Sequence, residues 1–168
     1  MKTIIVSCSL HHKSRSFILA KELAKHTGAE IVNLKDYKLP FCDGHSCYDD
    51  PEVHKISKKL KEAETIILAF PIYNYSMSAA AKNLIELTGK DVWTEKNVTF
   101  LCAAGGNMSY MSCMPFANAL MLDFRIKFIP KYIYADDSCF NSERTEITSE
   151  KIIHRIEELA DKIKKTSN

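Results

Sequence analysis

Three short segments of this sequence carry side chains that could do chemistry, and the first has the composition of a phosphate site. Residues 7–16 contain four hydroxyls, two imidazoles, one lysine and one arginine, with no acidic side chain. The segment opens directly into a helical pattern, and a helix N-terminus attracts anions through its free N–H groups and its dipole. The side chains that would add to these donors are Ser9, Ser14, Ser16 and Arg15. The alternative is a serine-rich turn in which Ser14 only caps the helix.

The second segment, residues 70–78, suits a flat aromatic ligand with a polar edge. It contains a proline, two tyrosines, an asparagine and two serines, and an alanine-rich helix follows it. Such ligands bind where apolar faces lie beside a few well-placed polar groups. Pro71 stiffens the exit from the preceding strand, because its ring fixes φ. The alternative is that Tyr73 and Tyr75 cover the end of the core.

The third segment, residues 103–110, contains the pair Gly105–Gly106. Two glycines at the end of a strand let the backbone approach a ligand closely or form a tight turn with positive φ. By itself this pair identifies no ligand. Together, the three segments outline a phosphate pocket beside a ring-sized pocket, which is the shape of a mononucleotide with a large planar head.

The elements that would position these segments alternate along the whole chain. The predicted strands are Thr3–Val6, Glu30–Leu34, Thr65–Phe70, Val98–Ala103 and Phe128–Tyr134. The predicted helices are Ser14–His26, Pro51–Ala63, Ser78–Thr88, a segment within Ser112–Phe124, and Ser149–Lys164. This alternation predicts one α/β domain over residues 1–168, with a five-stranded parallel sheet and helices on both faces. Ligands bind beyond the carboxyl ends of such strands, where the strand order reverses, so we expect the three segments to meet there.

Missing motifs and the charge balance exclude several classes of protein. The sequence has no G-x-G-x-x-G dinucleotide fingerprint and no G-x-x-x-x-G-K-[ST] phosphate loop. The positions after the first and third strands lack the acidic residues with which a phospho-acceptor receiver domain holds its metal. The 23 basic and 21 acidic residues leave a net charge of +2, which argues against a nucleic-acid-binding protein and against an acidic electron carrier.

The same segments resemble the motifs of the NADPH-dependent FMN reductase family, which includes flavin, quinone, azo-dye and chromate reductases. The residues that match the family's G-S-L-R-x-x-S-x-[NT] pattern are Ser9, Leu10, Ser14 and, loosely, Ser16. Residues 71–76 match P-x-Y-N-x-S, the most specific motif, and residues 81–84 are similar to the L-K-N segment of the following helix. Gly105–Gly106 resembles the family's glycine loop. The sequence departs from the family at Cys8, where glycine is usual, at His11, where arginine is common, and in a third loop that lacks a second glycine pair.

The resemblance implies a three-layer flavodoxin-like sandwich with strand order 2-1-3-4-5 and bound FMN. Hydride would pass from NADPH or NADH through FMN to a small acceptor, which is a flavin, a quinone, an azo compound or a metal oxyanion. The implied cofactor-binding residues are Ser9, His11, Ser14, Arg15, Ser16, Pro71, Ile72, Tyr73, Asn74, Tyr75, Ser76, Gly105, Gly106 and Asn107. Backbone N–H groups near Asn74 and Tyr75 would contact the polar edge of the ring. No catalytic side chain and no metal is implied, because the cofactor carries the chemistry.

Two other functions stay open at this point. A flavodoxin-type electron carrier is disfavoured by the near-neutral charge and by the Tyr73-Asn74 segment. A flavin-free binding or regulatory protein on the same fold is kept open by the departures at Cys8, at His11 and in the third loop. Visible colour separates the flavin-free protein from the other two, and steady NAD(P)H oxidation separates the enzyme from the carrier.

Location and assembly follow from the remaining features. Residues 1–6 are too short an apolar run for a signal peptide, and no stretch approaches the roughly 20 residues of a membrane helix, so we expect a cytoplasmic protein with reduced cysteines and no membrane partner. Cys42 and Cys47 have too few neighbouring ligands for an iron–sulfur cluster and a non-standard spacing for zinc with His45, so we expect unligated thiols. Five of the six methionines lie between residues 77 and 121; they either fill the core beside the third and fourth helices or form an adaptable interface, and we favour the interface. The family resemblance implies a homodimer or a dimer of dimers.

Overall fold

The computed structural model describes residues 2–166 and confirms the alternation of strands and helices. Its strands are β1 (Thr3–Ser7), β2 (Glu30–Asn33), β3 (Thr65–Tyr73), β4 (Ser76–Met77), β5 (Asn97–Ala103), β6 (Lys127–Phe128) and β7 (Ile133–Ala135). Its α-helices are α1 (Arg15–Thr27), α2 (Pro51–Lys61), α3 (Ala79–Trp93), α4 (Met114–Phe124) and α5 (Glu150–Thr166). Within residues 2–166, no helix combines the length and the apolar character that crossing a membrane requires.

A parallel sheet in the order β2-β1-β3-β5-β6 forms the centre of the structure, the strand order that the family resemblance implied. Helices α1 and α5 cover one face, and helices α2, α3 and α4 cover the other. Ile4 and Val6 of β1 share one apolar cluster with Leu84 of α3, whereas Ile5 shares the opposite cluster with Leu19 of α1. Strands covered on both faces are almost continuously apolar, which is why their sequence pattern was easy to recognise. The fold is therefore the expected three-layer α/β sandwich.

The fifth strand position differs in detail from the prediction, because two short strands occupy it. The predicted strand Phe128–Tyr134 is divided into β6 and β7, which pair separately with β5. Pro130 lies between them, and proline has no N–H to donate to a sheet ladder. The carbonyl of Lys131 instead accepts a hydrogen bond of 2.9 Å from the hydroxyl of Thr99. With β4, which pairs antiparallel to β3, the described sheet has seven strands.

Helix α3 contains a break at Gly89 and continues beyond its predicted end. Gly89 has a φ of 55° and a ψ of −161°, a backbone conformation that residues other than glycine rarely adopt. Beyond the break, the helix carries Trp93 into the core, where it is fully buried and its Nε1 donates to Thr88 Oγ1 at 2.8 Å. Trp93 therefore packs in the core.

Candidate functional site

The loops that follow β1, β3 and β5 meet at one edge of the sheet and enclose a cavity of about 280 Å³. The predicted site residues that line this cavity are Ser9, His11, Ser14, Arg15, Ser16, Pro71, Ile72, Tyr73 and Gly105. Lys13, Ala103 and Arg144 line it as well. Among the described residues, its lining includes three permanent cations and no carboxylate. This first cavity is therefore suited to an anion.

A second cavity, of about 340 Å³, adjoins the first and shares Ile72 with it. Its lining is formed by Ile72, Asn74, Tyr75, Gly106, Met108 and Ser109. Two predicted residues, Ser76 and Asn107, line neither cavity. Ser76 pairs with Tyr73 inside the β3–β4 hairpin, and Asn107 begins the 3₁₀ turn Asn107–Cys113. The structure thus brings most of the predicted residues together around two connected spaces.

The first loop ends in the start of α1, and Ser14 caps that helix. Ser14 Oγ accepts a hydrogen bond from the N–H of Phe17 at 3.1 Å, and the Ser14 carbonyl accepts from the N–H of Ile18 at 3.2 Å. The hydroxyls of Ser14 and Ser16 lie 3.1 Å apart. The earlier N–H groups of the first turn have no carbonyl one turn back to bind. The capping role of Ser14 is confirmed, and the same geometry places an anion-binding helix N-terminus beside the first cavity.

Local side-chain hydrogen bonds hold the rest of the first loop. Ser9 is buried, and its Oγ accepts from the N–H of His11 at 3.3 Å. His11 Nδ1 in turn accepts from the N–H of Lys13 at 3.0 Å, and its ring stacks on His12 with 4.5 Å between ring centroids. When Nδ1 accepts, the proton of a neutral imidazole lies on Nε2. His11 can therefore offer Nε2–H to a ligand in the cavity that it lines.

Two arginines share one carboxylate at the edge of the first cavity. Arg15 Nη1 donates to the carbonyl of Ala104 at 2.7 Å and forms an ion pair with Asp137. Arg144 Nη2 lies 3.5 Å from the same Asp137 oxygen. Arg144 was not among the predicted site residues, although the irregular stretch 135–148 follows the last strand at this edge. The pairing leaves a net positive charge, because one carboxylate balances only one of the two guanidiniums.

The second loop is a two-residue hairpin turn with strained backbone. The antiparallel pairing of β3 with β4 places Asn74 and Tyr75 at the turn, with φ values of 50° and 59°. Positive φ at both central residues is the type I′ pattern, which favours asparagine and glycine. A tyrosine in this conformation costs about 1–2 kcal/mol relative to the right-handed form. Strain of this kind clusters at ligand sites, and here it presents the turn N–H groups outside the strand pairing.

Two tyrosines of the fifth strand position fix the third loop. The hydroxyl of Tyr134 donates to the carbonyl of Gly106 and lies 2.7 Å from Ser109 Oγ. The hydroxyl of Tyr132 donates to the carbonyl of Tyr110 at 3.1 Å, and the rings of these two tyrosines stack with 5.4 Å between centroids. Burial raises the pKa of Tyr132, so its hydroxyl stays protonated and remains a donor. The glycine loop is therefore held in place by its neighbouring strand.

Cys8, the departure from the family's glycine, does not line the first cavity. Its side chain is fully buried in the apolar cluster that α2, α3 and α4 cover, and its Sγ lies 3.7 Å from the Val6 carbonyl. Burial raises the pKa of Cys8 well above its usual value, so the group stays a neutral thiol. The substitution thus fills core and leaves the cavity unobstructed.

Comparison with known proteins agrees with this geometry. The family model described as NADPH-dependent FMN reductase matches residues 1–138. The NAD(P)H-dependent FAD/FMN reductase of Geobacillus thermodenitrificans is 27% identical over 143 residues, which cover 84% of this chain and 76% of that protein. The NADPH azoreductase of a Bacillus species is 26% identical over 137 residues, which cover 81% of this chain and 77% of that protein.

A solved structure shares the fold over nearly the full length. FerB, a flavoenzyme NAD(P)H:(acceptor) oxidoreductase from Paracoccus denitrificans, superimposes with a TM-score of 0.77 at 20% identity. The superposition covers 96% of this chain and 94% of that one. The architecture agrees with the flavodoxin-like sandwich expected from the sequence. Because the family model spans most of the chain, this protein belongs to the NADPH-dependent FMN reductase family.

Proposed function

We propose that this protein holds FMN at the edge of its sheet and uses it to pass hydride from NADPH or NADH to a small acceptor. The family assignment makes it an FMN-dependent NAD(P)H oxidoreductase. The observation that carries the proposed site is the pair of adjoining cavities, one cationic and one bounded by apolar and turn residues. A mononucleotide has an anionic phosphate at one end and a planar ring at the other, so its two ends match the two cavities.

The first cavity would hold the phosphate. Its donors are the free N–H groups at the start of α1, the hydroxyls of Ser14 and Ser16, and the guanidinium of Arg15. Hydrogen bonds from charged donors to a phosphate are shorter and about twice as strong as neutral ones. Lys13 and Arg144 add positive charge at the same place. This donor set fits a dianion without help from a metal.

The second cavity and the shared wall would hold the ring. Pro71 and Ile72 supply apolar surface, and the turn N–H groups of Asn74 and Tyr75 would face the polar edge of the ring. A Cβ added at Gly105 or Gly106 would meet no atom within 4 Å. The two glycines therefore keep open the space that a planar group would occupy, and the residues present fit FMN.

The chemistry divides between the cofactor and the chain. FMN, when bound, supplies the group that accepts hydride from nicotinamide and delivers it to an acceptor. The chain binds the phosphate, orients the ring, and leaves Tyr73 and Tyr75 exposed at the entrance where nicotinamide and acceptor would alternate. The hydride step requires no proton from a side chain, so no acid or base is assigned. The acceptor is proposed as a flavin, a quinone, an azo compound or a metal oxyanion.

The function is tested by the visible spectrum of the purified protein after incubation with FMN and removal of free flavin. We expect a band at about 450 nm that bleaches when NADPH or NADH is added without oxygen, since reduction removes the oxidised flavin chromophore. Riboflavin, which lacks the phosphate, is the matched control ligand and is expected to bind more weakly. A protein that stays colourless points to the flavin-free alternative. A coloured protein that neither nucleotide bleaches points to a one-electron carrier.

We further propose that the protein forms a homodimer or a dimer of dimers through the surface around the second cavity. The large apolar side chains exposed there are Tyr73, Tyr75, Met108, Tyr110 and Met111. Exposed apolar patches mark interaction surfaces, and methionine adapts to varied partners. Sedimentation equilibrium is expected to give two or four times the chain mass of 19.1 kDa. Met108→Asp should shift the protein towards monomer, whereas Phe41→Asp, at an equally exposed residue before α2, should not; a monomeric parent protein would overturn the proposal.

A single domain over residues 1–168 and a cytoplasmic location complete the proposal. Residues 1, 167 and 168 lie outside the described residues. All six cysteines are free, a state that a reducing compartment maintains. Limited proteolysis that released two separately folded fragments would contradict the single domain.

A further inference from the structure

Two thiols lie in contact in the loop that precedes α2. Cys42 Sγ and Cys47 Sγ are 3.9 Å apart. Cys47 is buried against Val53 and Leu87, whereas Cys42 is only partly covered. No group of three or more histidine, cysteine, aspartate or glutamate side chains within residues 2–166 is arranged to hold a metal. The contact between the two sulfurs therefore needs an interpretation other than metal binding.

The loop is folded so that the two sulfurs are held together. The carboxylate of Asp43 accepts hydrogen bonds from the N–H of His45 at 2.8 Å, the N–H of Cys47 at 3.0 Å and the hydroxyl of Ser46 at 2.6 Å. These bonds hold the pKa of Asp43 well below its usual range, and the bond from Ser46 has the largest effect. The carboxylate therefore keeps its charge. Gly44 supplies the positive φ of 73° on which the turn depends. The turn brings residues five positions apart into sulfur contact.

A side chain of helix α3, Asn83, also holds this loop in place. The side chain of Asn83 accepts from the N–H of Cys42 at 2.9 Å and donates to the carbonyl of Pro40 at 2.8 Å. The backbone on the N-terminal side of Cys42 is thus held by one amide, and the backbone of Cys47 is held by Asp43. Because the backbone is held at both cysteines, a bond between Cys42 Sγ and Cys47 Sγ can form in the folded protein without a large rearrangement.

The two thiols have different access to solvent and therefore different roles. Burial raises the pKa of Cys47, so this group stays a thiol at neutral pH. Cys42 is partly exposed to solvent, and its Sγ lies 3.6 Å from the hydroxyl of Tyr48. A partly exposed thiol beside a buried one is the arrangement of an attacking and a resolving cysteine.

We propose that Cys42 and Cys47 are a redox-active dithiol, which hydrogen peroxide closes to an intramolecular disulfide. Cys42 Sγ attacks one peroxide oxygen, which gives a sulfenic acid at Cys42 and releases one water. Cys47 Sγ then attacks Cys42 Sγ, the S–S bond forms, and the hydroxyl leaves with the Cys47 proton as a second water. Two thiols thus lose two electrons and two protons, and one peroxide becomes two waters. Small-molecule thiols reopen the bond by exchange, as befits a transient disulfide in a reducing compartment.

The chain offers a direct test, because one tryptic peptide, Leu39–Lys55, contains these two cysteines and no other. The protein is treated with a small molar excess of hydrogen peroxide, unfolded, alkylated and digested. We expect this peptide to be unalkylated and two hydrogen masses lighter than the dithiol form. After reduction with dithiothreitol and a second alkylation, it should carry two alkyl groups. The melting temperature of the oxidised protein should rise, because the cross-link restricts the unfolded chain.

Two variants separate this pair from general thiol oxidation. Cys139→Ser removes the other partly exposed thiol and should leave disulfide formation unchanged. Cys42→Ser should leave Cys47 open to alkylation after peroxide and abolish the rise in melting temperature. Recovery of both thiols after peroxide, a sulfinic acid at Cys42 without a disulfide, or a bond to another cysteine would each overturn the proposal. None of these readouts depends on flavin, so the result is independent of the proposed function.

Discussion

Replacing Ser14 with aspartate is expected to weaken FMN binding about a hundredfold while leaving the fold as stable as before. Aspartate caps helices as well as serine does, so the bond from the N–H of Phe17 is retained. The new carboxylate lies in the first cavity, and at about 5 Å from a phosphate charge it costs about 3 kcal/mol at an effective dielectric constant of 20. Fluorescence titration of flavin-free protein measures the affinity, and thermal melting without flavin measures the stability.

Ser14→Ala is the matched control, and it is expected to lower the stability of the fold while weakening FMN binding less than Ser14→Asp does. Alanine removes the cap and should lower the free energy of unfolding by about 1 kcal/mol. It adds no charge and deletes one hydroxyl donor, so the dissociation constant for FMN should rise about tenfold, the lower end of the range for a hydrogen bond to a charged group. The two variants together separate the role of Ser14 in the helix from its role in the cavity. Normal FMN affinity in Ser14→Asp would mean that the phosphate lies away from the start of α1.

The central sheet was predictable because its strands are covered on both faces. The strands β1, β3 and β5 are apolar at nearly every position, which is typical of parallel strands buried on both faces. The fifth position was harder, because its pairing depends on partners distant in sequence. Pro130 was the available signal for a division, yet only the register with β5 shows where β6 ends and β7 begins. Local pattern identifies an element, whereas tertiary pairing sets its limits.

The hairpin after β3 shows where local rules stop being sufficient. A type I′ turn is usually recognised from Asn-Gly or Asp-Gly, and here Tyr75 occupies the position that glycine would favour. The segment was identified as a ligand loop from its composition, but the positive φ at Tyr75 was not foreseen. The same turn pairs Ser76, which is predicted to contact the cofactor, with Tyr73. The turn propensities of single residues do not predict a backbone conformation that tertiary structure imposes.

The candidate site was predicted where it depends on strand ends and missed where it depends on distant loops. The residues after β1 and β3 follow from the rule that ligands bind at the carboxyl edge. Arg144 reaches the first cavity from a loop near the end of the chain, and its partner Asp137 also holds Arg15. The hydroxyl of Tyr134, which fixes Gly106, was likewise counted only as part of a strand. Long-range ion pairs and hydrogen bonds of this kind have no local sequence signature.

Arg15→Ala is expected to weaken FMN binding by about 1.5–3 kcal/mol, the range for a hydrogen bond to a charged group. That range corresponds to a dissociation constant raised about tenfold to 150-fold, measured by flavin fluorescence titration. Arg125→Ala removes the same charge at the C-terminal end of α4, outside both cavities, and should leave the affinity unchanged.

The size of the Arg15 effect also distinguishes direct contact from positioning. Arg15 supports the third loop through the Ala104 carbonyl and joins Asp137, so its loss should lower the melting temperature of the flavin-free protein as well. Asp137→Asn keeps Arg15 and its bond to Ala104 but removes the competing charge. If Arg15 contacts phosphate, this variant should bind FMN at least as tightly as the parent protein, because both guanidiniums are freed for the anion.

Equal weakening by Arg15→Ala and Asp137→Asn would mean that the ion pair only shapes the cavity. Unchanged binding in Arg15→Ala would mean that Lys13 or Arg144 holds the phosphate.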